Sequence, residues 1–257
     1  MVIHRHMRQG LTHLIGELKF RLRTSWSSPW CLISDRVADG IADRKFGIAS
    51  SECRTLRELG LDLPDCSRYQ PISYSDLRKL LDSIGVSRGD VFLDFGSGMG
   101  RALCVAARYP FRAVLGVEVS TELCAIAKQN VDRARPKLLR ADIRVINANA
   151  LSYEIPAQAS VIYFFNPFGR AILSTVLENI ATSLRKAPRQ IKILFYGTAS
   201  SEDFRQEAER CGWLALRSTL KLPTGSVGLI YLNALWNSPG ASVSFGTATH
   251  ESTSART

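Results

Sequence analysis

Residues 90–101 read Asp-Val-Phe-Leu-Asp-Phe-Gly-Ser-Gly-Met-Gly-Arg, and this stretch decides the fold. Its first six residues form a short, mostly apolar run, which predicts a buried strand. Gly96, Gly98 and Gly100 then alternate at the turn into a predicted helix over 100–108, and glycines let the backbone approach a ligand closely. In open α/β sheets, ligands bind at the carboxyl ends of the strands. The stretch therefore predicts a ligand site at this turn.

Two residues make this turn differ from the dinucleotide-binding fingerprint. That fingerprint is Gly-x-Gly-x-x-Gly, with a helix N-terminus directed at a pyrophosphate. Here Arg101 stands at the place of the third glycine, and Asp94 lies two residues before the first. A carboxylate favours a ligand with a cationic group and disfavours a pyrophosphate. A nicotinamide-dependent oxidoreductase is thus the less favoured interpretation.

The middle of the chain alternates predicted strands and helices. Most of these strands are continuous apolar runs, as expected for strands buried on both faces of a parallel sheet. Strands are predicted over 90–95, 113–119, 142–150, 159–168, 190–197, 214–222 and 227–235, and helices over 73–84, 100–108, 169–187, 201–211 and from the N-cap Ser120 to Pro136. The last two strands flank a Pro-Thr-Gly-Ser turn, which predicts a hairpin. The predicted fold class is α/β: a doubly wound, mostly parallel seven-stranded sheet with an antiparallel C-terminal hairpin.

Three further strands end in polar residues. Glu118 ends the second strand about twenty residues beyond the glycines, where a carboxylate can accept hydrogen bonds from both hydroxyls of a ribose. Alternatively, Glu118 is only an acid near the start of the next helix, where a negative charge is favourable. Asn149 ends the third strand, where an amide can pair with a purine edge or serve only as a turn residue. Asn166 ends the fourth strand, and Pro167 and Phe168 can stiffen and wall a pocket there, although the same residues also suit a plain turn.

The charge balance and the N-terminal region indicate possible partners. The chain has 257 residues and a formal net charge of +10. Segment 128–144 is basic, and the spacing of apolar residues over 8–23 predicts an amphipathic helix with a mainly basic polar side. Such a helix can bind an acidic membrane surface, a partner protein or its own domain. A nucleic-acid partner is less favoured, because no aromatic residues alternate with the basic ones.

Composition divides the chain into three predicted parts. These are a basic, helical N-terminal extension over 1–68, an α/β domain over 69–236 and a polar tail over 237–257 that is expected to be disordered. The six cysteines form no Cys-x-x-Cys pair or zinc-type cluster, which predicts free thiols and no metal site. The first thirty residues lack the apolar core of a secretory signal, and no apolar run is long enough to span a membrane. We therefore expect a cytoplasmic protein.

From Tyr69 to about Leu235 the sequence resembles the class I S-adenosylmethionine-dependent methyltransferases. The resemblance implies a Rossmann-like methyltransferase fold and S-adenosylmethionine as cofactor. It assigns cofactor contacts along the motifs: Asp94, Gly96, Gly98 and Gly100 for the methionine part, Glu118 for the ribose, Asn149 (usually Asp in the family) for the adenine amino group, Asn166 beside the transferred methyl and Tyr69 in a lid.

A finer resemblance involves the stretches 43–48 and 69–74, the glycine turn and the ending of the fourth strand. Together they are similar to a group of small, mostly bacterial methyltransferases of undefined substrate. The glycine turn and the strand ending are also similar to the non-SET histone-lysine methyltransferases, which implies an amine acceptor. Asn166-Pro167-Phe168 lacks the second proline of the Asn-Pro-Pro-aromatic motif of DNA and protein-amide methylases. A nucleobase or glutamine acceptor is therefore disfavoured.

The activity implied is methyl transfer to an unidentified acceptor, with an amine of a protein or small molecule as the leading class. The sulfonium is already activated, so the protein chiefly supplies position and desolvation. All four histidines lie outside the predicted α/β domain. The candidate catalytic residues are therefore Asn166 and Tyr74, with Tyr196 as a further candidate base. The alternative is a protein that binds S-adenosylmethionine as a regulator or scaffold without turnover.

Overall fold

The computed structural model describes residues 29–234 except 64–65, 67, 140, 166–167 and 198–200. The helices in this part of the chain are α1 (Pro29–Phe46), α2 (Tyr74–Asp82), α3 (Arg101–Ala106), α4 (Thr121–Ala134), α5 (Arg170–Lys186) and α6 (Ser201–Cys211). A short 3₁₀ turn, Arg135–Lys137, follows α4. The strands are β1 (Val91–Phe95), β2 (Ala113–Glu118), β3 (Asp142–Asn147), β4 (Val161–Phe165), β5 (Lys192–Gly197), β6 (Leu214–Lys221) and β7 (Val227–Asn233).

The seven strands form one mixed sheet in the order β3-β2-β1-β4-β5-β7-β6. Strands β1 to β5 run parallel to one another, whereas β7 inserts antiparallel between β5 and β6. The predicted fold class is therefore confirmed. The strand order reverses between β1 and β4, and the carboxyl ends of such strands flank the crevice where ligands bind.

Helices cover both faces of the sheet, which explains why most strands are apolar throughout. On one face, Leu77 and Leu80 of α2 belong to the same buried cluster as Phe92 of β1 and Tyr163 of β4. On the other face, Leu177 of α5 and the start of α6 pack with aromatic residues of β4 and β5. Burying these side chains removes apolar area from water on both sides and supplies the main stabilisation of the domain.

Several predicted element boundaries agree closely with the structure. α6 spans the predicted 201–211, and the hydroxyl of Ser120 caps α4 by accepting a hydrogen bond from the Leu123 N–H at 3.3 Å. The third strand is shorter than predicted and ends at Asn147. It lies at the edge of the sheet, where exposed and half-buried residues alternate. Beyond it the chain turns, so Asn149 lies in a loop that follows the strand.

The region before the sheet contains a helix that the sequence analysis did not delimit. α1 begins at Pro29, which suits the first turn of a helix because its missing N–H has no partner to lose there. Asp43 of α1 forms an ion pair with Arg101, so contacts cross the predicted boundary at residue 69. The predicted helix over 8–23 and the tail over 237–257 lie outside the described residues, and the three-part division stays a prediction.

None of the helices in the described part of the chain is both long enough and apolar enough to cross a membrane.

Candidate functional site

The glycine turn between β1 and α3 adopts a backbone that favours glycine at three positions. Gly96, Gly98 and Gly100 have φ values of 79°, 53° and 82°, in the left-handed region. The N–H groups of Gly96 and Ser97 donate to the Val117 carbonyl at 2.8 and 3.1 Å, which attaches the turn to the neighbouring strand β2. A Cβ atom on Gly98 would come within 2.2 Å of the Tyr69 ring. The turn therefore needs glycine for conformation and, at Gly98, for space.

Glu118, the last residue of β2, holds the glycine turn with its carboxylate. Its Oε2 atom accepts the Gly98 N–H at 2.9 Å, and its Oε1 atom accepts the Ser120 N–H at 2.9 Å. Burial raises the pKa of Glu118, and the hydrogen bonds from Ser120 and Gly98 partly offset that effect. Each carboxylate oxygen can accept more than one hydrogen bond, so capacity remains for ligand hydroxyls. Both oxygens are thus fixed in place before a ligand arrives.

Asp94 lies deeper than Glu118, beneath the site rather than in its wall. It is 2% exposed, and burial, followed by the nearby charge of Glu118, raises the pKa of Asp94 well above its ordinary value. Two more polar atoms close to it in the chain or sheet, the Ser97 Oγ and the Tyr163 hydroxyl, are buried without a hydrogen-bond partner in the described part of the protein. A buried polar atom without a partner costs free energy, and a polar ligand or ordered water can recover it.

A cavity of about 130 Å³ lies over the carboxyl ends of β1 and β2. Its roof is the cover segment, which we define as the described residues of 54–70. Backbone bridges from Arg54 to Tyr69 and from Cys66 to Phe168 hold this segment in place. The walls are mostly apolar, and the lining residues include Leu56, Leu59, Leu61, Leu63, Cys66, Tyr69, Gly96, Val117, Glu118, Val119, Asn149, Leu151, Phe165, Phe168 and Ile172.

The structure brings four of the predicted cofactor residues to this cavity. Gly96, Glu118, Asn149 and Tyr69 line it, whereas Gly98 lies directly under the Tyr69 ring. The Oδ1 atom of Asn149 accepts the Leu151 N–H at 2.9 Å, which is the turn role that the sequence left open. Its amide nitrogen remains a donor at the cavity wall, and its contact with adenine stays a prediction.

Asn166 and Pro167 lie outside the described residues, so the roles predicted for Asn166 stay predictions. Their neighbours Phe165 and Phe168 both line the cavity, which places this end of β4 beside it.

The two tyrosines considered as bases are bonded within the fold. Tyr74 does not line the cavity, and its hydroxyl donates to Asp43 at 2.7 Å in a buried cluster around Arg101. Tyr196 is buried and its hydroxyl donates to the Ser226 Oγ at 3.1 Å. Burial is the leading cause that raises the pKa of both tyrosines. Neither tyrosine is among the residues that line the cavity.

Sequence reasoning missed two residues that hold the site together. The amide of Asn130, on α4, donates to the carbonyls of Ala49 and Met99 at 2.9 Å each and accepts the Ala49 N–H at 3.0 Å. It thereby ties the glycine turn to the chain before the cover segment. Arg101 joins the same elements through its guanidinium. A polar residue inside an apolar helix run was the signal for Asn130, whereas Arg101 was considered only as a departure from a glycine pattern.

No group of histidine, cysteine, aspartate and glutamate side chains that could hold a metal ion occurs within the described residues.

Residues 67–193 match the family model "Histone methylation protein DOT1". This match covers the glycine turn, Glu118 and the crevice between β1 and β4, on a sheet whose last strand inserts antiparallel. This part of the chain therefore resembles the class I S-adenosylmethionine-dependent methyltransferases in its motifs and its sheet. S-Adenosylmethionine is the cofactor of these methyltransferases, as the sequence resemblance implied.

Several solved structures share this fold. TrmN from Thermus thermophilus is 15% identical with a TM-score of 0.51, and the match covers 64% of this chain and 49% of that one. The PH0226 protein from Pyrococcus horikoshii OT3 is 16% identical with a TM-score of 0.50, over 62% and 88% of the two chains. A SAM dependent methyltransferase from Aquifex aeolicus is 15% identical with a TM-score of 0.49, over 63% and 91%. No curated protein matches the sequence.

The residues present fit S-adenosylmethionine. The carboxylate of Glu118 offers two fixed acceptors to a pair of ribose hydroxyls, and buried Asp94 favours a ligand with a cationic end. The apolar walls suit the flat adenine and the methylene groups. The Ser97 Oγ, in the glycine turn, is a further polar group without a partner among the described residues.

Proposed function

We propose that this protein is an S-adenosylmethionine-dependent methyltransferase that transfers a methyl group to an amine of a protein or small molecule. The observation that carries the proposal is the Glu118 carboxylate, fixed by two backbone N–H groups at the wall of a cavity over the strand ends. A carboxylate held in this way selects a ligand with paired hydroxyls before any chemistry occurs. The rest of the cavity then determines what reaches the bound ligand.

Each part of the site has a distinct role in holding the cofactor. Glu118 would hold the ribose, Asn149 would meet the adenine, and Asp94 with the glycine turn would face the methionine end. When bound, S-adenosylmethionine supplies a methyl group on a positively charged sulfur. Tyr69 lies on Gly98 and covers the turn from the side of the cover segment.

The chain contributes to the reaction mainly through position and desolvation. The leucines of the cover segment and Phe168 form apolar walls, which exclude water from the site. Holding two reacting groups in line can contribute about 7–11 kcal/mol without a nucleophilic residue. An amine attacks as the neutral form, so the acceptor must lose a proton to solvent or to a group near Asn166 before or during transfer.

Two features support an amine as the acceptor. The matching family is described as a histone methylation protein, and histones offer amines on their side chains. In addition, the Asn-Pro-Phe sequence after β4 lacks the second proline associated with nucleobase and amide acceptors. The end of β4 borders the cavity, which is where the acceptor would enter.

Binding without turnover is the second candidate function. The observation in its favour is that the hydroxyls of Tyr74 and Tyr196 are bonded elsewhere in the fold. Glu118 and Asp94 account for binding alone. Turnover distinguishes the two functions, because a scaffold would bind S-adenosylmethionine and leave every acceptor unmethylated.

The first test is calorimetric titration of the full chain with S-adenosylmethionine, S-adenosylhomocysteine and a nicotinamide dinucleotide. We expect the first two to bind and the third not to. Methyl transfer from labelled S-adenosylmethionine is then measured on a cell lysate, with and without prior acetylation of its amines. Label in the untreated lysate only supports an amine acceptor, and equal label in both contradicts it. A folded protein that binds the cofactor but labels neither lysate supports the scaffold.

A further inference from the structure

Arg101 is a buried cation at the first position of α3, immediately after the last glycine of the turn. Its side chain is 3% exposed. A buried guanidinium is costly unless each donor finds a partner, since both charge and N–H groups lose water. Arginine has five N–H donors, and here five hydrogen bonds satisfy them. The acceptors are Ser50 Oγ at 2.9 Å, Asp39 Oδ2 at 3.0 Å, the Ile72 carbonyl at 2.8 Å, Asp43 Oδ2 at 3.3 Å and Ser51 Oγ at 2.8 Å.

All of these acceptors come from the chain before the sheet, residues 39–72. Two are carboxylates of α1, and the face of the guanidinium lies 4.8 Å from the Tyr74 ring centroid. Burial opposes ionisation of Asp43, but the charge of Arg101 and hydrogen bonds from Tyr74 and Ser51 hold the pKa of Asp43 below its ordinary value. The cluster is thus an ionised pair that joins α1 to the glycine turn.

Ser50 connects this cluster to the roof of the cavity. Its hydroxyl accepts from Arg101 and donates to Asp43 at 2.9 Å, and its carbonyl accepts the Tyr69 hydroxyl at 2.8 Å. Tyr69 in turn lies against Gly98 and lines the cavity. A continuous path of contacts therefore runs from Arg101 through Ser50 to Tyr69 and back to the glycine turn.

We infer that Arg101 is a positioning residue for cofactor binding, which docks the cover segment on the glycine turn through Ser50 and Tyr69. Arg101 does not line the cavity, so its effect on the cofactor passes through these contacts. The guanidinium suits this task because its fork reaches five acceptors on three stretches of chain, whereas a lysine ammonium has three donors. The inference rests on the proposed function and names a residue that supports the same site.

The test compares two arginine-to-lysine variants of the full chain. Arg189 is the matched control, since its guanidinium also makes five hydrogen bonds. Their acceptors belong to Pro156, Ala159, Ser183 and Ala187, none of which lines the cavity. Dissociation constants for S-adenosylhomocysteine are measured by calorimetry beside thermal melting. We expect Arg101→Lys to weaken binding at least tenfold and Arg189→Lys to leave it within twofold, although both lower the melting temperature.

A double-mutant cycle with Tyr69→Phe tests the path itself. That change removes the hydroxyl that donates to the Ser50 carbonyl and keeps the ring on Gly98. If Arg101 acts through this link, the two changes are not independent. The fold-loss of S-adenosylhomocysteine affinity in the double variant is then smaller than the product of the fold-losses in the two single variants. In turnover assays the loss should fall mainly on the KM for S-adenosylmethionine, with a smaller change in kcat.

Each failure has a separate meaning. Wild-type protein that is folded and binds neither S-adenosylmethionine nor S-adenosylhomocysteine contradicts the proposed function. Wild-type binding with unchanged affinity in folded Arg101→Lys, or equal losses in the two lysine variants, overturns the role of Arg101. If Arg101→Lys does not fold, Ser51→Ala replaces it, because Ser51 is exposed and its loss removes one acceptor. Ser51→Ala should weaken binding two- to fivefold, and wild-type affinity would overturn the inference.

Discussion

The Oε2 atom of Glu118 accepts the backbone N–H of Gly98 at 2.9 Å, and this contact joins the end of β2 to the middle of the glycine turn. The two residues are twenty positions apart in the chain, yet the parallel pairing of β1 with β2 brings them to the same edge. The same carboxylate accepts the Ser120 N–H, so one side chain holds both the glycine turn and the N-cap of α4. A substitution at Glu118 is therefore expected to disturb the glycine turn, and a substitution at Gly98 to displace the Glu118 carboxylate.

Replacing Glu118 should weaken cofactor binding strongly. Glu118→Gln keeps the shape but turns one oxygen into an N–H donor, which then faces either the Gly98 or the Ser120 N–H. Hydrogen bonds to charged groups contribute about 1.5–3 kcal/mol, so the dissociation constant of S-adenosylhomocysteine should rise roughly 10- to 100-fold. Calorimetric titration measures this change. Glu178→Gln, an exposed acid on α5 paired with Arg185, is the control and should bind as wild type. Unchanged affinity in folded Glu118→Gln would remove the ribose contact from the site.

Gly98→Ala should disrupt the cover segment. The new Cβ would lie 2.2 Å from the Tyr69 ring, and the residue would also keep a φ of 53°. Gly85→Ala is the matched control, because Gly85 has a φ of 59° and nothing within 4 Å of its Cβ position. We expect the control to lose about 1 kcal/mol of stability from backbone strain alone and to bind normally. Gly98→Ala should lose more stability and most of its affinity for S-adenosylhomocysteine.

Adding Tyr69→Ala to Gly98→Ala separates the steric effect from the backbone strain. If the ring is the obstacle, the double variant recovers stability relative to Gly98→Ala in thermal melts. Equal losses of stability in Gly98→Ala and Gly85→Ala would show that the Tyr69 ring moves aside freely.

Asp94→Asn should stabilise the ligand-free protein and weaken the cofactor. Folding raises the pKa of Asp94, chiefly through burial and then through Glu118. The folded state therefore holds a proton that the unfolded chain releases, and this group lowers stability as pH rises from the unfolded pKa to the folded one. Asparagine stays neutral, so the advantage of the variant should grow as the pH of the melt is raised from acid toward neutral.

Thermal melting over that pH range measures the effect. Each ~1 kcal/mol of relieved strain corresponds to about 2–4 °C in Tm for a domain of this size. The same variant should bind S-adenosylmethionine less tightly, because an amide cannot ionise beside a cationic group as the Asp94 carboxyl can. A stability gain that does not change with pH would show that Asp94 is not the titrating group.

Much of the fold was predictable because its signals are local. The run 90–95, the alternating glycines and the Ser120 cap each specify a strand, a turn or a helix start within a few residues, and all three are confirmed. Glu118 was predictable as a site residue for the same reason, because it is an acid at the end of a clearly apolar strand. Periodicity also gave α6 its boundaries at Ser201 and Cys211.

The remaining parts of the site depend on contacts between distant segments. Arg101 meets Asp39 and Asp43, which lie some sixty positions earlier, and no local pattern pairs them. The sequence predicts Tyr74 as a base within reach of the fourth and fifth strand ends, but its neighbours in space are Asp43 and Arg101. Whether a side chain faces the cavity or the protein interior is a property of tertiary packing, which the sequence of this segment does not encode in a regular pattern.

Deleting residues 1–25 should leave cofactor binding unchanged and reduce binding to acidic membranes. The lining of the cavity lies within residues 56–172, so the deletion removes none of it. The deleted segment carries Arg5, Arg8, Lys19, Arg21 and Arg23, and each basic residue near an anionic surface contributes about 1 kcal/mol. Sedimentation with vesicles of phosphatidylserine and phosphatidylcholine measures the partition, and pure phosphatidylcholine vesicles are the control. We expect a loss of at least tenfold on the acidic vesicles, suppressed by salt. Equal partition of the full chain and the deletion variant would assign the predicted helix over 8–23 to contacts with its own domain or with another protein.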